Sequence, residues 1–281
     1  MYEAYWGLKG SPFRIAADTR WFYDSPGHEE ALARLYFLIE ERRPCGVLQG
    51  AAGTGKTLLF RMIERELART QRNRVSIDLT GLDGDEFLWE LAESLELTPQ
   101  DGEPARRLWQ LVEDQLHALS LSGLETVVLL DAWERSDAGC TAVVERLLGA
   151  AHNTGALTML VGVRARPDAK MPGVLAELSD LRIELAPLDR MHAAGYVRSH
   201  LATAGTARDV FSTEALAAIH EHSGGVPRQI NRICHFALLA AMGEERAIVD
   251  AACVTRAARE LRLGGGRGVN ESAVTAALTP A

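Results

Sequence analysis

Eight consecutive residues, Gly50-Ala51-Ala52-Gly53-Thr54-Gly55-Lys56-Thr57, place four residues between Gly50 and Gly55 and follow the latter with lysine and threonine. That spacing suits one kind of chemistry. Glycines let the backbone fold tightly enough for successive N–H groups to face a phosphate, the lysine brings a point charge to the outer phosphates, and the threonine hydroxyl is a hard oxygen ligand for magnesium. On this reading Gly50, Ala51, Ala52, Gly53, Thr54, Gly55, Lys56, Thr57 and Leu58 hold a nucleotide, Lys56 at its β and γ phosphates and Thr57 at Mg²⁺. An ordinary glycine-rich turn needs neither the lysine nor the threonine. Among 30 Lys plus Arg only Lys9, Lys56 and Lys170 are lysine, so a lysine kept here is not the chain's generic cation.

A second oxygen group ends the apolar run Glu125-Thr126-Val127-Val128-Leu129-Leu130-Asp131. Proteins with such a loop place a carboxylate at a strand end to hold Mg²⁺ through water, which gives Asp131 that role beside Thr57. Those that hydrolyse ATP commonly follow it with glutamate, which orients the attacking water. Here Ala132 follows, then Trp133 and Glu134. Two readings of Glu134 stand: a substitute acid, if the strand end turns early, or a solvated carboxylate paired with Arg135 or another surface cation. Nucleotide binding thus rests on more residues than hydrolysis does.

The elements that must position these groups alternate. Cys45 to Gln49 reads as a short apolar strand, then the glycine loop, then Thr57 to Ala68 at helical spacing. Strands are predicted at Arg74 to Leu79, Glu125 to Asp131, Leu157 to Val163 and Leu181 to Leu185. Helices are predicted at His28 to Arg42, Asp85 to Leu95, Glu103 to Leu119 and Ala142 to Ala151. The unbroken apolar character of Glu125 to Asp131 suits a central parallel strand covered on both faces. The fold class predicted is α/β, a P-loop NTPase parallel sheet flanked by helices. From Met191 strand signals fade, and helices near 192–203, 213–222, 227–242 and 249–262 predict a C-terminal all-α lid. The resulting division is 1–43, an aromatic opening (Tyr5, Trp6, Phe13, Trp21, Phe22, Tyr23) and helix packed on the core; 44–188, the α/β core; 189–263, the lid; and 264–281, a flexible glycine-rich tail.

Composition narrows the rest. A hydrophobic share of 47% with 24% charged residues is that of a folded globular chain. The net charge of −8 argues against a surface built throughout to hold nucleic acid. Cys45, Cys140, Cys234 and Cys253 lie far apart in neither metal nor redox spacing, so they read as buried small apolar residues in a reducing compartment. His152, His192, His222 and His235 likewise lack ligand spacing and read as surface or helix residues. The N-terminus carries neither the charged nor the apolar region of a signal peptide, and no apolar run approaches the ~18 residues of a membrane span. A cytoplasmic location is expected.

Taken with the loop, these residues resemble the AAA+ ATPases of general secretion pathway component A, a family also seen beside pilus and exopolysaccharide loci. The resemblance runs from about Tyr5 to Leu263. Tyr5-Trp6-Gly7-Leu8 with Ser11-Pro12-Phe13 is similar to the family's opening, and Trp21-Phe22-Tyr23 through His28-Glu29-Glu30-Ala31-Leu32 to its next block. Ser223-Gly224-Gly225-Val226-Pro227-Arg228-Gln229-Ile230-Asn231-Arg232 matches its Gly-x-Pro-Arg-x-Ile-Asn segment. The resemblance implies that the N-terminal aromatics and the helix after them lie near adenine, and that Arg228 senses the γ-phosphate, a task its planar guanidinium suits. Read from the residues alone, Arg228 is a helix-start arginine after Pro227, free to pair with an acid, and the aromatics are core packing.

Departures from the family touch catalysis. Asp131-Ala132-Trp133-Glu134 stands where the family has Asp-Glu-Ala-Gln. Val161-Gly162-Val163-Arg164-Ala165-Arg166 lacks its polar first sensor, unless Arg164 or Arg166 replaces it, and Glu177-Leu178 aligns with its Gln-Arg pair, Arg182 following. Catalysis, as implied, falls to Lys56, Asp131, Glu134 and Arg228. The expected function is an ATP-binding AAA+ ATPase, cycling ATP to ADP with Mg²⁺, in a secretion, pilus or exopolysaccharide type system, with hydrolysis slowed by Ala132. Its expected partners are further copies of itself or another protein. Two alternatives stand beside it: a hydrolysis-deficient, ATP-gated interaction module, and a DNA-associated regulator of the transposition type, which the acidic charge disfavours. The family's secretion members continue into a membrane span and a wall-binding region, so a chain ending at Ala281 is expected not to reach the wall by itself.

Overall fold

The computed structural model describes residues 2–14, 16–100, 102–165, 173–206 and 208–264. In chain order the elements are α1 (Tyr2–Trp6), α2 (Pro26–Glu40), β1 (Cys45–Gly50), α3 (Lys56–Leu67), β2 (Asn73–Asp78), α4 (Gly84–Ser94) and α5 (Ala105–Leu121). There follow β3 (Thr126–Asp131), α6 (Gly139–Thr154), β4 (Leu157–Arg164), α7 (Gly173–Leu178), β5 (Leu181–Leu185), α8 (Arg190–Thr203), α9 (Thr213–Ser223), α10 (Pro227–Gly243) and α11 (Ala251–Gly264). Single 3₁₀ turns occupy Thr19–Trp21 and Trp133–Arg135.

The chain divides into two compact units, residues 17–186 and a second made of the N-terminal 1–16 with 187–281. In the first, the strands form a parallel sheet in the order β2-β3-β4-β1-β5. Burial follows from that order. The central β3 and β4 are buried over nearly their whole length, whereas the edge strands β2 and β5 alternate buried and exposed. Successive β3 residues serve opposite layers: Val128 and Leu130 pack in the cluster that includes Leu88 of α4, Val112 of α5 and Leu147 of α6. Val127 and Leu129 join Leu35 of α2 and Leu59 and Ile63 of α3. The predicted P-loop α/β architecture is therefore present, with each face of the sheet covered.

This strand order has a switch point at β1. The chain leaves β1 for the β2 edge and leaves β4 for β5 on the other side, so the connections part above the carboxyl ends of β1 and β4, where open α/β sheets hold ligands. Local sequence fixes the helix starts. Ser25 caps α2 ahead of Pro26, and Asp83 with Glu86 closes a capping box on α4.

The second unit is helical, α8 to α11 with α1, and includes the predicted lid. Its boundary departs from the expected one: the segment before Ala16 groups with the helices after Pro187, while α2 belongs to the sheet unit. Packing gives the reason. Tyr2 and Trp6 lie one helical turn apart on the buried face of α1, Trp6 Nε1 donates to Leu238 O at 3.2 Å, and Tyr2 Oη meets His235 Nδ1 at 3.2 Å. The span coils because both aromatics find one neighbour, α10. Asn231 of the Pro227-Arg228-Gln229-Ile230-Asn231 segment accepts from Tyr196 Oη and donates to Arg14 O, each at 2.9 Å. Gly225, at φ 72°, abuts Leu188 so closely that a Cβ would stand 1.9 Å from Leu188 O, which accounts for the glycine there.

All four cysteines are free and buried, and burial pushes the Cys45 thiol up to about 12. Among the described residues no helix is long and apolar enough to cross a membrane. The predicted tail lies, from residue 265 on, outside the described residues.

Candidate functional site

The eight-residue loop starts inside the sheet. Gly50, the last residue of β1, stands in register with Arg164 of β4 and Leu185 of β5. A Cβ on Gly50 would lie 2.8 Å from both Leu185 O and Thr54 Oγ1, so only glycine lets the loop close this tightly. Gly53 and Gly55 have φ of 88° and 116°, in the region that side chains avoid. Thr54 is wholly buried and its hydroxyl donates to Ala51 O at 3.0 Å. Gly55 caps α3 without any side-chain hydrogen bond, so the first turn of α3 presents its own N–H groups. Lys56 Nζ donates to Gly50 O at 2.8 Å and to Ala51 O at 3.1 Å, spanning the loop from within.

Thr57 and Asp131, 74 residues apart in sequence, meet directly: Thr57 Oγ1 donates to Asp131 Oδ2 at 2.5 Å. The other carboxylate oxygen, Oδ1, accepts the Ala132 N–H at 2.8 Å. The floor beneath them is Gly162 of β4, where a Cβ would lie 2.8 Å from Asp131 Oδ1 and 3.0 Å from the Phe60 ring. A hydroxyl and a carboxylate at the C-terminal sheet edge are a hard-oxygen pair of the kind that suits Mg²⁺. The glycine cradle beside them leaves space that side chains would fill, so the residues present fit both a phosphate chain and its cation.

After Asp131 the chain turns at once. Ala132 adopts φ 58°, ψ 37° and starts the 3₁₀ turn Trp133–Arg135, which buries Trp133. That turn brings Glu134 back over the sheet edge, where its Oε2 accepts the backbone N–H of Arg164 at 3.0 Å. Glu134 is thus seated at the end of β4 and not paired through Arg135. Arg164 itself is exposed, and Arg166 lies outside the described residues. Arg182 is tied locally, to Ser179 Oγ and Ala176 O. Arg228 is exposed in the first turn of α10, behind Pro227.

Residues 39–166, which contain the loop, Asp131 and Glu134, match the family model of an AAA domain. The chain thus carries an AAA domain. It resembles general secretion pathway protein A of Aeromonas hydrophila, with 30% identity over 247 residues; the match takes in 86% of this chain but only 45% of that protein's length. Among solved structures, Cdc6p of Pyrobaculum aerophilum superposes with a TM-score of 0.65 at 19% identity, over 88% of this chain and 68% of that one. The RuvB branch migration motor of Thermotoga maritima gives 0.51 at 18% identity, over 83% and 69%. At such identities these two show a shared fold, that of AAA+ ATPases.

Two residues that shape this site are not legible as such in the sequence. Gly162 looked like a lost sensor neighbourhood, yet it is the gap that admits the Asp131 carboxylate. His28 was noticed only as part of a family block. It is buried, its Nε2 meets Thr54 O at 3.0 Å and its Nδ1 meets Ser25 Oγ at 2.7 Å. Burial lowers its pKa, against smaller upward pulls from the Thr54 carbonyl and Asp24. The sequence signal was slight: a histidine three residues after a capping serine. Among the described residues no cluster of three or more His, Cys, Asp or Glu forms a separate metal site.

Proposed function

We propose that this chain binds ATP with Mg²⁺ and hydrolyses it slowly to drive assembly in a secretion, pilus or exopolysaccharide type system. The observation that carries the nucleotide part is the Thr57–Asp131 contact beside a loop in which a Cβ at Gly50 or Gly55 would collide with its neighbours. Gly50 to Leu58 would hold the phosphates, Lys56 their outer charge, and Thr57 with Asp131 the Mg²⁺, which when bound offsets phosphate charge. Glu134 takes the place of the missing glutamate. It orients a water whose oxygen bonds to the γ-phosphorus and accepts that water's proton, while the bond to the β-phosphate oxygen breaks and leaves ADP. Arg228 would act as the γ-phosphate sensor, with an arginine from a neighbouring copy completing the site. The assembly role rests on the likeness to general secretion pathway protein A, whose name alone speaks of secretion.

A second reading is favoured by Ala132: an ATP-gated module that switches shape with little turnover. Binding of a fluorescent ATP analogue, with and without Mg²⁺, and steady-state turnover against protein concentration separate the two. Saturable binding with turnover that rises per molecule at higher concentration supports the oligomeric ATPase; saturable binding without turnover supports the gated module; no saturable binding sinks both. A DNA mobility shift that weakens steeply with salt would instead support a DNA-associated regulator.

A further inference from the structure

Among the described residues, His28 is the one buried titratable side chain that is lodged against the phosphate loop and has no part in the proposed hydrolysis. Its neighbours settle its proton. Thr54 O is a carbonyl and only accepts, so Nε2 carries the hydrogen; Nδ1 is then the acceptor, and the Ser25 hydroxyl 2.7 Å away donates to it. Ser25 in turn accepts the His28 backbone N–H as the cap of α2. The imidazole is neutral, held at both ends, with the Phe22 ring edge-on at 6.1 Å.

The bond falls at a critical peptide. In a planar trans peptide the C=O of one residue and the N–H of the next point in opposite directions. With the Thr54 carbonyl fixed on His28, the Gly55 N–H must face away from it. Gly55 lies at φ 116° and has no side chain to resist rotation of the peptide between residues 54 and 55. Thr54's own hydroxyl is spent on Ala51 O, so the hold on its carbonyl comes from His28. A Cβ at Gly55 would meet His28 Nε2 at 2.8 Å, so the imidazole fills the space that a side chain would take.

We propose that His28 is a positioning residue that locks the Thr54–Gly55 peptide, so that the Gly55 N–H stays aimed at the phosphates of a bound nucleoside di- or triphosphate. The ligand half of this proposal rests on the nucleotide reading above; the peptide lock does not. The test compares H28Q, whose amide nitrogen reaches about as far as Nε2 and still donates, with H28M, which fills the buried site without a donor. The probes are fluorescent ADP and ATP analogues, and hydrogen exchange at the amides of Gly53 to Leu58 without nucleotide. H28M is expected to raise both dissociation constants about tenfold, the worth of one lost hydrogen bond, and to speed exchange in the loop, while H28Q stays within about threefold on both. H28M binding and exchanging as wild type does, or H28Q behaving like H28M, overturns the proposal. Absence of binding by wild type overturns the nucleotide reading instead, and the exchange data then still decide for or against the lock.

Discussion

The carboxylate of Glu134 accepts a hydrogen bond from the backbone N–H of Arg164, 3.0 Å away, which seats an acid at the end of the strand between those that bear Asp131 and Gly50. The left-handed Ala132 makes this geometry, since it reverses the chain directly after Asp131. If Glu134 orients water, E134Q keeps the size and loses the base. Turnover is expected to fall about 10²-fold or more with nucleotide affinity within a few fold. Single-turnover hydrolysis at saturating ATP measures it, and an unchanged rate would remove Glu134 from catalysis.

Lys56, the proposed partner of the outer phosphates, lies within the loop, its amine reaching the carbonyls of both Gly50 and Ala51. K56A is expected to weaken ATP and ADP binding by at least about tenfold, since a charged hydrogen bond is worth about 1.5–3 kcal/mol. Equilibrium titration with a fluorescent analogue checks it; undiminished affinity would end the phosphate-loop assignment.

Arg228 stands exposed in the first turn of α10, directly after Pro227. R228A is expected to weaken ATP binding several-fold and leave ADP binding nearly intact, since a γ-phosphate sensor acts on the one group that distinguishes them. Equal losses for both nucleotides, read in paired titrations, would make Arg228 a structural residue.

Much of this was written in the sequence because it depends on near neighbours along the chain. The glycine spacing, the helical periodicity of α3 and the apolar run of β3 each declare their element locally. What was hidden depends on distant residues. Glu134 was left between two readings because its place is set by Arg164, thirty positions on, through a left-handed alanine that no propensity predicts. The N-terminal segment is hidden for the same reason: Trp6 and Arg14 are held by Leu238 and Asn231. Gly162 gave no sign of the carboxylate above it, since a glycine in a strand declares a close approach but not its partner.

The second unit should respond to acid through His200. Burial drives its pKa down to about 4, while its ring lies against Tyr196 and Phe13. Above its ordinary pKa of about 6.5 the imidazole is neutral folded or unfolded and adds no pH dependence. Below that the unfolded chain takes up a proton which the folded state refuses until about pH 4, so stability falls across this window by up to a few kcal/mol. H200F is expected to flatten that part of the profile. Thermal midpoints of wild type and variant between pH 7 and 4.5 measure it, and parallel curves would show that His200 is not the group responsible.

The last expectation concerns the floor of the site. A methyl at Gly162 would stand 2.8 Å from Asp131 Oδ1, with Phe60 at 3.0 Å on its other side and β4 held between β3 and β1. Neither neighbour yields freely: Phe60 is buried in the layer with Leu59 and Ile63, and Asp131 is held by the Ala132 N–H and the Thr57 hydroxyl. G162A is therefore expected to cost about 1–3 kcal/mol in stability through overpacking. The carboxylate is the smaller and more mobile obstacle, so it moves first, and the Thr57–Asp131 pair opens. Because that pair is the proposed Mg²⁺ site, the variant should lose the Mg²⁺-dependent part of ATP affinity while keeping the Mg²⁺-independent part, which Lys56 and the loop N–H groups supply. Titrations with and without Mg²⁺, run well below the melting temperature of each protein, separate this from general instability. Equal loss in both conditions would mean that the strain spreads into the loop, and an unaltered Mg²⁺ effect would detach Asp131 from the cation.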